Sequence, residues 1–186
     1  MNKKLILSGA AAFVAAGALA VAPVSAATVN GNSGDTTITY TNNDVVSKNG
    51  VYGFVIPASM TFDSSTATPS MDIEMVGVNG YVLTDFNAGL EVTMEAKSAN
   101  DMKLIDAVSN KEVAYTLAFT GHAGADMTLD TAAGSKANPK EVAKYTPAKP
   151  KANVKGALVD PENATVKGTY SDVVTFSWTD NGTILK

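Results

Sequence analysis

The side chains that could support acid–base chemistry are carboxylates set two and four residues apart. Asp72 and Glu74 are two residues apart, about 6.6 Å in an extended strand, which suits a glycosidase pair. Glu91 and Glu95 are four apart, about 13 Å, which is too far for such a pair. The closer pair is expected on the wet face of a sheet, where neither burial nor a partner shifts a pKa. We interpret these acids as solubilising charges.

The chain contains one histidine, His122, in a glycine-flanked turn. A Ser-His-Asp triad or a histidine-based zinc site would depend on this residue alone, so the sequence predicts an exposed His122 without a catalytic or ligand role. Asp126 and Asp130 offer oxygen ligands, but their spacing departs from the calcium loop of EF-hands. No catalytic, cofactor-binding or metal-ligating residue is therefore assigned, and the protein is predicted not to be an enzyme. A calcium ion and a Lys–Asn isopeptide bond remain open alternatives.

The N-terminal 26 residues have the pattern of a cleaved signal peptide. Lys3 and Lys4 precede an apolar run over 5–21, and Val24, Ser25 and Ala26 form a small-residue cleavage site. Pro23 interrupts the run, which is short for a membrane span. We therefore expect residues 1–26 to be removed, and the mature protein, 27–186, to be secreted and extracellular, at the cell surface, without a membrane span.

Composition excludes several kinds of partner. Removing Lys3 and Lys4 with the signal peptide takes the formal charge from −4 to −6, so nucleic acid and anionic lipid should repel the mature chain. The chain has no arginine, the side chain that binds phosphate in a planar fork. It also has no cysteine, so neither disulfides nor cysteine metal sites can stabilise it. A single domain of this length can rely on its core alone.

The mature chain alternates apolar and polar residues with the period of a β-strand. Residues 71–75 and 90–97 alternate at every step, as a strand with one wet face does. Further strands are predicted at 36–41, 51–56, 113–120 and 173–178, which are rich in β-branched and aromatic residues. The sequence thus predicts an all-β fold, an immunoglobulin-like β-sandwich with Greek-key connections. The residues predicted to point inward are Met71, Ile73, Met75, Leu90, Val92, Met94 and Ala96.

Turn residues separate these predicted strands. Asn-Gly pairs at 49–50, 79–80 and 181–182 favour tight turns, and the first two favour hairpins. Residues 98–107 are compatible with a short helical turn. Residues 134–155 are rich in lysine and proline and poor in large apolar side chains, which predicts a long loop before the last strand. This loop is either a solvated surface or a contact for an acidic cell-wall polymer.

Two stretches carry a family resemblance. Residues 168–178 read GTYSDVVTFSW, which is similar to the closing strand of secreted bacterial β-sandwich subunits, and residues 55–62 read VIPASMTF. The second stretch resembles a strand of cysteine-free surface proteins from Gram-positive bacteria, and similar closing strands occur in spore-coat-U-like and fimbrial subunits. This resemblance implies an immunoglobulin-like sandwich at the cell surface, in some cases assembled by exchange of a terminal strand.

The sequence favours a non-enzymatic structural or adhesive protein of the cell surface, such as a pilin-like subunit of an extracellular filament or matrix. Residues 27–35 are small and polar and precede the β-prone segment 36–41, which either forms the first strand of its own domain or pairs with the open edge of a neighbour. Expected partners are copies of the chain, through terminal or edge strands, and a cell-wall polymer or host surface. The alternative is a secreted carbohydrate- or cell-wall-binding module, although Trp178 shares its strand face with Val174 and Phe176 and is expected in the core.

Overall fold

The computed structural model describes residues 36–39, 50–63, 68–133 and 135–186. The predicted signal peptide, 1–26, and residues 27–35 of the predicted mature chain lie outside this part. The described residues contain strands and three short 3-10 turns, at Leu83–Asp85, Thr131–Ala133 and Pro161–Asn163, and no α-helix. The predicted all-β class is confirmed.

Eleven strands form within these residues, and each segment predicted as a strand contains one of them. In chain order they are β1 (Thr36–Thr39), β2 (Tyr52–Val55), β3 (Ser59–Phe62), β4 (Ser70–Gly77), β5 (Val92–Ser98), β6 (Lys103–Asp106), β7 (Glu112–Thr120), β8 (Met127–Leu129), β9 (Lys140–Tyr145), β10 (Lys151–Leu158) and β11 (Tyr170–Asp180).

The strands are connected in one sheet with the order β2-β4-β10-β7-β6-β11-β1-β3, while β8 pairs with β7, and β5 pairs with both β11 and β9. The two longest strands change neighbours along their length. In β7, residues 112–114 pair with β6 and residues 115–120 pair with β10. In β11, residues 170–173 pair with β1 and residues 174–180 pair with β5. The pairing is antiparallel except between β1 and β11.

These changes of neighbour fold the sheet over a single core. Phe54 on β2 lies 4.8 Å from the ring of Tyr145 on β9 and 4.9 Å from the ring of Trp178 on β11. Phe119 on β7 lies 6.4 Å from Phe176 on β11. Because aromatic rings at these distances are in contact, the β2-β4-β10-β7 and β9-β5-β11 parts of the sheet face each other.

The alternation predicted for β4 and β5 is confirmed. Six of the seven residues expected to point inward are buried, and the seventh, Met71, is partly buried and packs against the core. Val174 and Phe176 are buried, and Trp178 is partly buried against the same core. A two-residue period therefore located the inner face of these strands correctly.

The loop predicted at 134–155 is wrong over most of its length, because β9 and β10 occupy residues 140–145 and 151–158. In β10 the lysines Lys151 and Lys155 are exposed, while Ala152 and Val154 are buried. Further along the same face, Phe62 and Met60 of β3 occupy the space that a side chain at Gly156 would need. Pro147 lies in the turn 146–149, where the loss of a backbone donor leaves no ladder bond unmade.

The helical turn suggested for 98–107 is also wrong. This segment completes β5 and then forms β6, in which Leu104 and Asp106 are buried and alternate with less buried neighbours. Positive φ angles at Asp101 (58°) and Met102 (61°) reverse the chain between the two strands.

Asn79 and Gly80 form the predicted turn, with φ angles of 54° and 91°, closed by a 3.1 Å bond from Tyr81 N–H to the Val78 carbonyl. The hairpin prediction is wrong, because the turn leads from β4 into a loop. At the first Asn-Gly pair, Gly50 has the positive φ of a turn (68°), while Asn49 and the residues before it, 40–48, lie outside the described residues.

Gly77 is required where the turn 78–81 folds back over the end of β4. A Cβ at this position would lie 2.6 Å from the Tyr81 carbonyl carbon and 3.0 Å from Val82 Cα, which are backbone atoms. Gly77→Ala is expected to lower the free energy of unfolding by about 2 to 3 kcal/mol, measured by urea denaturation. The matched control is Gly80→Ala, where φ is +91° and no atom lies within 4 Å of the added Cβ. This control should cost about 1 kcal/mol, and equal losses would contradict the steric explanation.

Candidate functional site

Of the two acids considered as a catalytic pair, Glu74 is partly buried on β4, and Asp72 binds a lysine and an amide on the outer face. Asp72 is exposed and accepts hydrogen bonds from Asn153 Nδ2 at 3.0 Å and Lys151 Nζ at 3.3 Å. The hydrogen bond from Asn153, and to a smaller extent that from Lys151, hold the pKa of the Asp72 carboxyl below its ordinary value. A general acid needs the opposite shift, so this carboxyl is unsuited to protonate a leaving group at neutral pH.

Glu91 and Glu95, the second pair of acids, lie in different surroundings. Glu91 forms a 2.9 Å ion pair with Lys144 on β9, while Glu95 is exposed on β5. The ion pair with Glu91 raises the pKa of the Lys144 ammonium. Asp130 accepts a 3.0 Å bond from the Ala133 amide, and Asp126 is exposed in the preceding loop. Across the described residues, no group of three or more histidine and acidic side chains is placed to hold a metal ion.

A buried carboxylate at Asp172, which sequence reasoning missed, is the most polar feature of the core. Asp172 is 1% exposed and lies on β11. One carboxylate oxygen accepts bonds from Ser98 Oγ at 2.5 Å and Tyr115 OH at 2.7 Å. The other accepts bonds from the amides of Asn100 at 3.0 Å and Val173 at 2.7 Å. Four donors satisfy the charge, as a buried carboxylate requires.

This cluster has the components of a serine–carboxylate pair but no access for a substrate. Ser98 is fully buried, and its oxygen also accepts the Met102 amide at 2.7 Å. Burial, and then the charge of Asp172, raise the pKa of the Tyr115 phenol. The four hydrogen-bond donors around Asp172 are two hydroxyl groups and two backbone amides, and none of them is a lysine ammonium. The cluster therefore joins β5, β7 and β11 and acts as a structural centre.

His122 is buried, so its predicted exposure is wrong. The side chain is 3% exposed, and Nδ1 accepts bonds from the amides of Gly124 at 3.0 Å and Lys144 at 3.3 Å. His122 lines a cleft of about 320 Å³ together with Asp126, Met127, Glu141 and Lys144. The burial depends on β9, which lies about twenty residues further along the chain, and local sequence carries no signal for it.

No family model, curated protein or solved structure matches this chain. Its candidate sites are therefore argued from their own geometry. In the part of the chain described by the structure, no helix has the length and hydropathy of a membrane span.

Aromatic side chains offer little surface for stacking sugar rings. Trp178 packs against Phe54, and Tyr81, 38% exposed, is the most exposed aromatic residue among those described. Tyr81 lies beside exposed Val82 rather than along the His122 cleft. The cleft thus has polar and small apolar walls, without the ring platform typical of sugar-binding modules.

The position of β1 is the other candidate site. This strand lies between β11, with which it pairs in parallel, and β3, with which it pairs antiparallel. Thr36 is aligned with Tyr170 and Phe62, and Thr39 with Val173 and Ser59. Main-chain pairing on both sides makes β1 an inserted strand whose removal would leave the edges of β11 and β3 facing each other.

Proposed function

We propose that the protein is a non-enzymatic, secreted structural or adhesive subunit of the cell surface that assembles by exchange of β1 between copies. The observation that carries the proposal is the insertion of β1 between β11 and β3. A strand bound on both sides by main-chain pairs can be replaced by the same strand of a neighbour without loss of any contact.

The chain has enough length for the exchange. Twelve residues, 40–51, separate β1 from β2, and an extended segment of this length spans about 40 Å. Such a span is comparable to the diameter of a domain of this size. The strand of one copy can therefore reach the site on another.

The site that would receive β1 of a neighbour lies between β11 and β3, and buried side chains hold β3 in position there. Met60 and Phe62 are buried, at 4% and 0% exposure, and Phe62 lies 6.2 Å from the Tyr115 ring. Gly156 on β10 gives these side chains room, since a Cβ there would lie 2.6 Å from Met60 Sδ. Because packing holds β3 in place, its edge is available to β1 of the same chain or to β1 of a neighbouring copy.

The contacts of the acids support a role that needs no catalysis. Asp72 and Glu91 bind lysines on neighbouring strands, and Asp172 is enclosed in the core. We also propose that the fold is an immunoglobulin-like sandwich with Greek-key connections, supported by the facing parts of the sheet and the changing neighbours of β11. The predicted signal peptide and the acidic composition support an extracellular setting, and the resemblance of residues 55–62 supports a Gram-positive one. The alternative remains a carbohydrate- or cell-wall-binding module, and it predicts a monomer.

Cysteine trapping tests the exchange, because the chain contains no native thiol. Thr37 on β1 is aligned with Thr61 on β3, and Cα atoms of antiparallel partners lie within the range that a disulfide spans. Secreted Thr37→Cys/Thr61→Cys protein, oxidised under assembly conditions, is expected to give a ladder of covalent oligomers on non-reducing gels. Negative-stain microscopy should show filaments that are absent when residues 27–39 are deleted.

The matched control is Thr37→Cys/Thr179→Cys, because Thr179 is exposed at the far end of β11 and pairs with β5. The control should give no ladder. Disulfides confined to single chains, or no disulfide at all, would overturn the exchange and favour the binding module.

A further inference from the structure

The loop 121–126 between β7 and β8 covers part of the free edge of β9. One edge of β9 pairs with β5. On the opposite edge, the Lys144 carbonyl accepts a 2.8 Å bond from the Ala123 amide, and the Lys144 amide donates to His122 Nδ1 at 3.3 Å. A side-chain nitrogen thus replaces the carbonyl that a neighbouring strand would provide. An edge covered in this way is protected from pairing with other chains.

The bonds at Nδ1 determine the protonation state of the ring. Nδ1 accepts from both Gly124 and Lys144 amides, so it carries a lone pair and no hydrogen. In the neutral ring the hydrogen is therefore on Nε2. Nε2 is buried and has no hydrogen-bond partner among the described residues. Opening of the loop would expose this donor to water.

We propose that His122 is a proton-sensitive clasp, which closes the loop 121–126 over β9 when neutral and releases it when protonated. A proton from solvent takes the Nδ1 lone pair and converts the acceptor into a donor. The new N–H then faces the amides of Gly124 and Lys144, so both bonds are lost together. Release exposes the Lys144 amide and carbonyl at the edge of β9.

The charges around the cleft come from three elements. Lys144 and Glu141 lie on β9, Asp126 lies in the loop, and Glu91 precedes β5. The Lys144 ammonium is balanced by Glu91 at 2.9 Å and Glu141 at 4.0 Å. Carboxyl groups ordinarily change charge near pH 4 and lysines above about pH 10, so these neighbouring charges stay constant in the window from about pH 5.5 to about pH 7.5.

Nuclear magnetic resonance of the full chain tests the clasp directly, because a single histidine gives a single set of imidazole signals. At about pH 7.5 the ring nitrogens should report hydrogen on Nε2 and none on Nδ1. The protection factors of the Gly124 and Lys144 amides should fall by about tenfold or more as the ring becomes protonated. A neutral ring with hydrogen on Nδ1, or protection that does not change on protonation, would overturn the proposal.

Two variants separate protonation from general effects of pH. The amide oxygen of His122→Asn can accept the same two bonds and does not titrate, so protection should persist across the window. His122→Ala has no acceptor at this position, so the protection of the Gly124 and Lys144 amides should be low at both ends of the pH window. The same acid-induced loss in His122→Asn as in the natural protein would contradict a role for the histidine.

Discussion

Replacing Asp172 with alanine is expected to lower the free energy of unfolding by about 4 kcal/mol. The carboxylate is 1% exposed and accepts bonds from the hydroxyls of Ser98 and Tyr115 and the amides of Asn100 and Val173. Alanine would leave the buried hydroxyls of Ser98 and Tyr115 without their acceptor inside the core, and would also remove the acceptor of the part-buried amides of Asn100 and Val173. It would also leave a cavity between β5, β7 and β11.

Urea denaturation of the natural chain and the Asp172→Ala variant measures this loss. Asp72→Ala is the matched control, because the same change at an exposed carboxylate should cost no more than about 1 kcal/mol. Ser98→Ala and Tyr115→Phe each remove one donor and should be less costly than Asp172→Ala. Similar losses for Asp172→Ala and Asp72→Ala would show that the buried network does not stabilise the fold.

Raising the pH above about 10 is expected to destabilise the protein steeply, because buried tyrosines resist ionisation. Burial raises the pKa of both Tyr115 and Tyr145 above the ordinary tyrosine value, and the Asp172 charge adds to the shift at Tyr115. Above about pH 10 the unfolded chain releases these protons while the folded chain retains them, so stability falls as pH rises. Tyr115 and Tyr145 each contribute about 1.4 kcal/mol per pH unit. Tyr52 and Tyr170, whose pKa values are also raised by burial, add to this slope.

Denaturation between about pH 9 and about pH 12, with tyrosinate absorbance followed in parallel, checks this slope. Tyr145→Phe is the informative control, since its hydroxyl makes only a 3.6 Å contact with Met94 Sδ and its loss should be tolerated. The alkaline slope of this variant should be smaller than that of the natural protein by about 1.4 kcal/mol per pH unit, the contribution of one tyrosine. Tyrosinate absorbance from all tyrosines that develops without unfolding would contradict the prediction.

The β-class and the inner faces of β4 and β5 could be predicted because alternation is a local property. Ile73, Met75 and Met94 are buried as expected from their position in a two-residue period. The same period could have located Asp172, which shares its strand face with Tyr170 and Val174. Its burial runs against the ordinary exposure of carboxylates, so residue type alone gives no signal for it.

The error at β9 and β10 came from reading composition in place of periodicity. Lysines and prolines suggested a solvated loop, yet Lys151, Ala152, Asn153 and Val154 alternate as a strand does. The small inward residue Gly156 of β10 leaves room for side chains of β3. Packing between residues of different strands cannot be predicted from a single segment of sequence.

The strand class, six of the eleven described strands and the acidic, cysteine-free character of the chain follow from its sequence. The tertiary structure alone decided which strands are neighbours, including the insertion of β1 between β11 and β3, and which polar groups meet. Asp172 meets Ser98 across 74 residues, and His122 meets Lys144 across 22. The physical reason is that alternation specifies the face on which a side chain lies but not the strand that will lie beside it, which depends on packing of the whole chain.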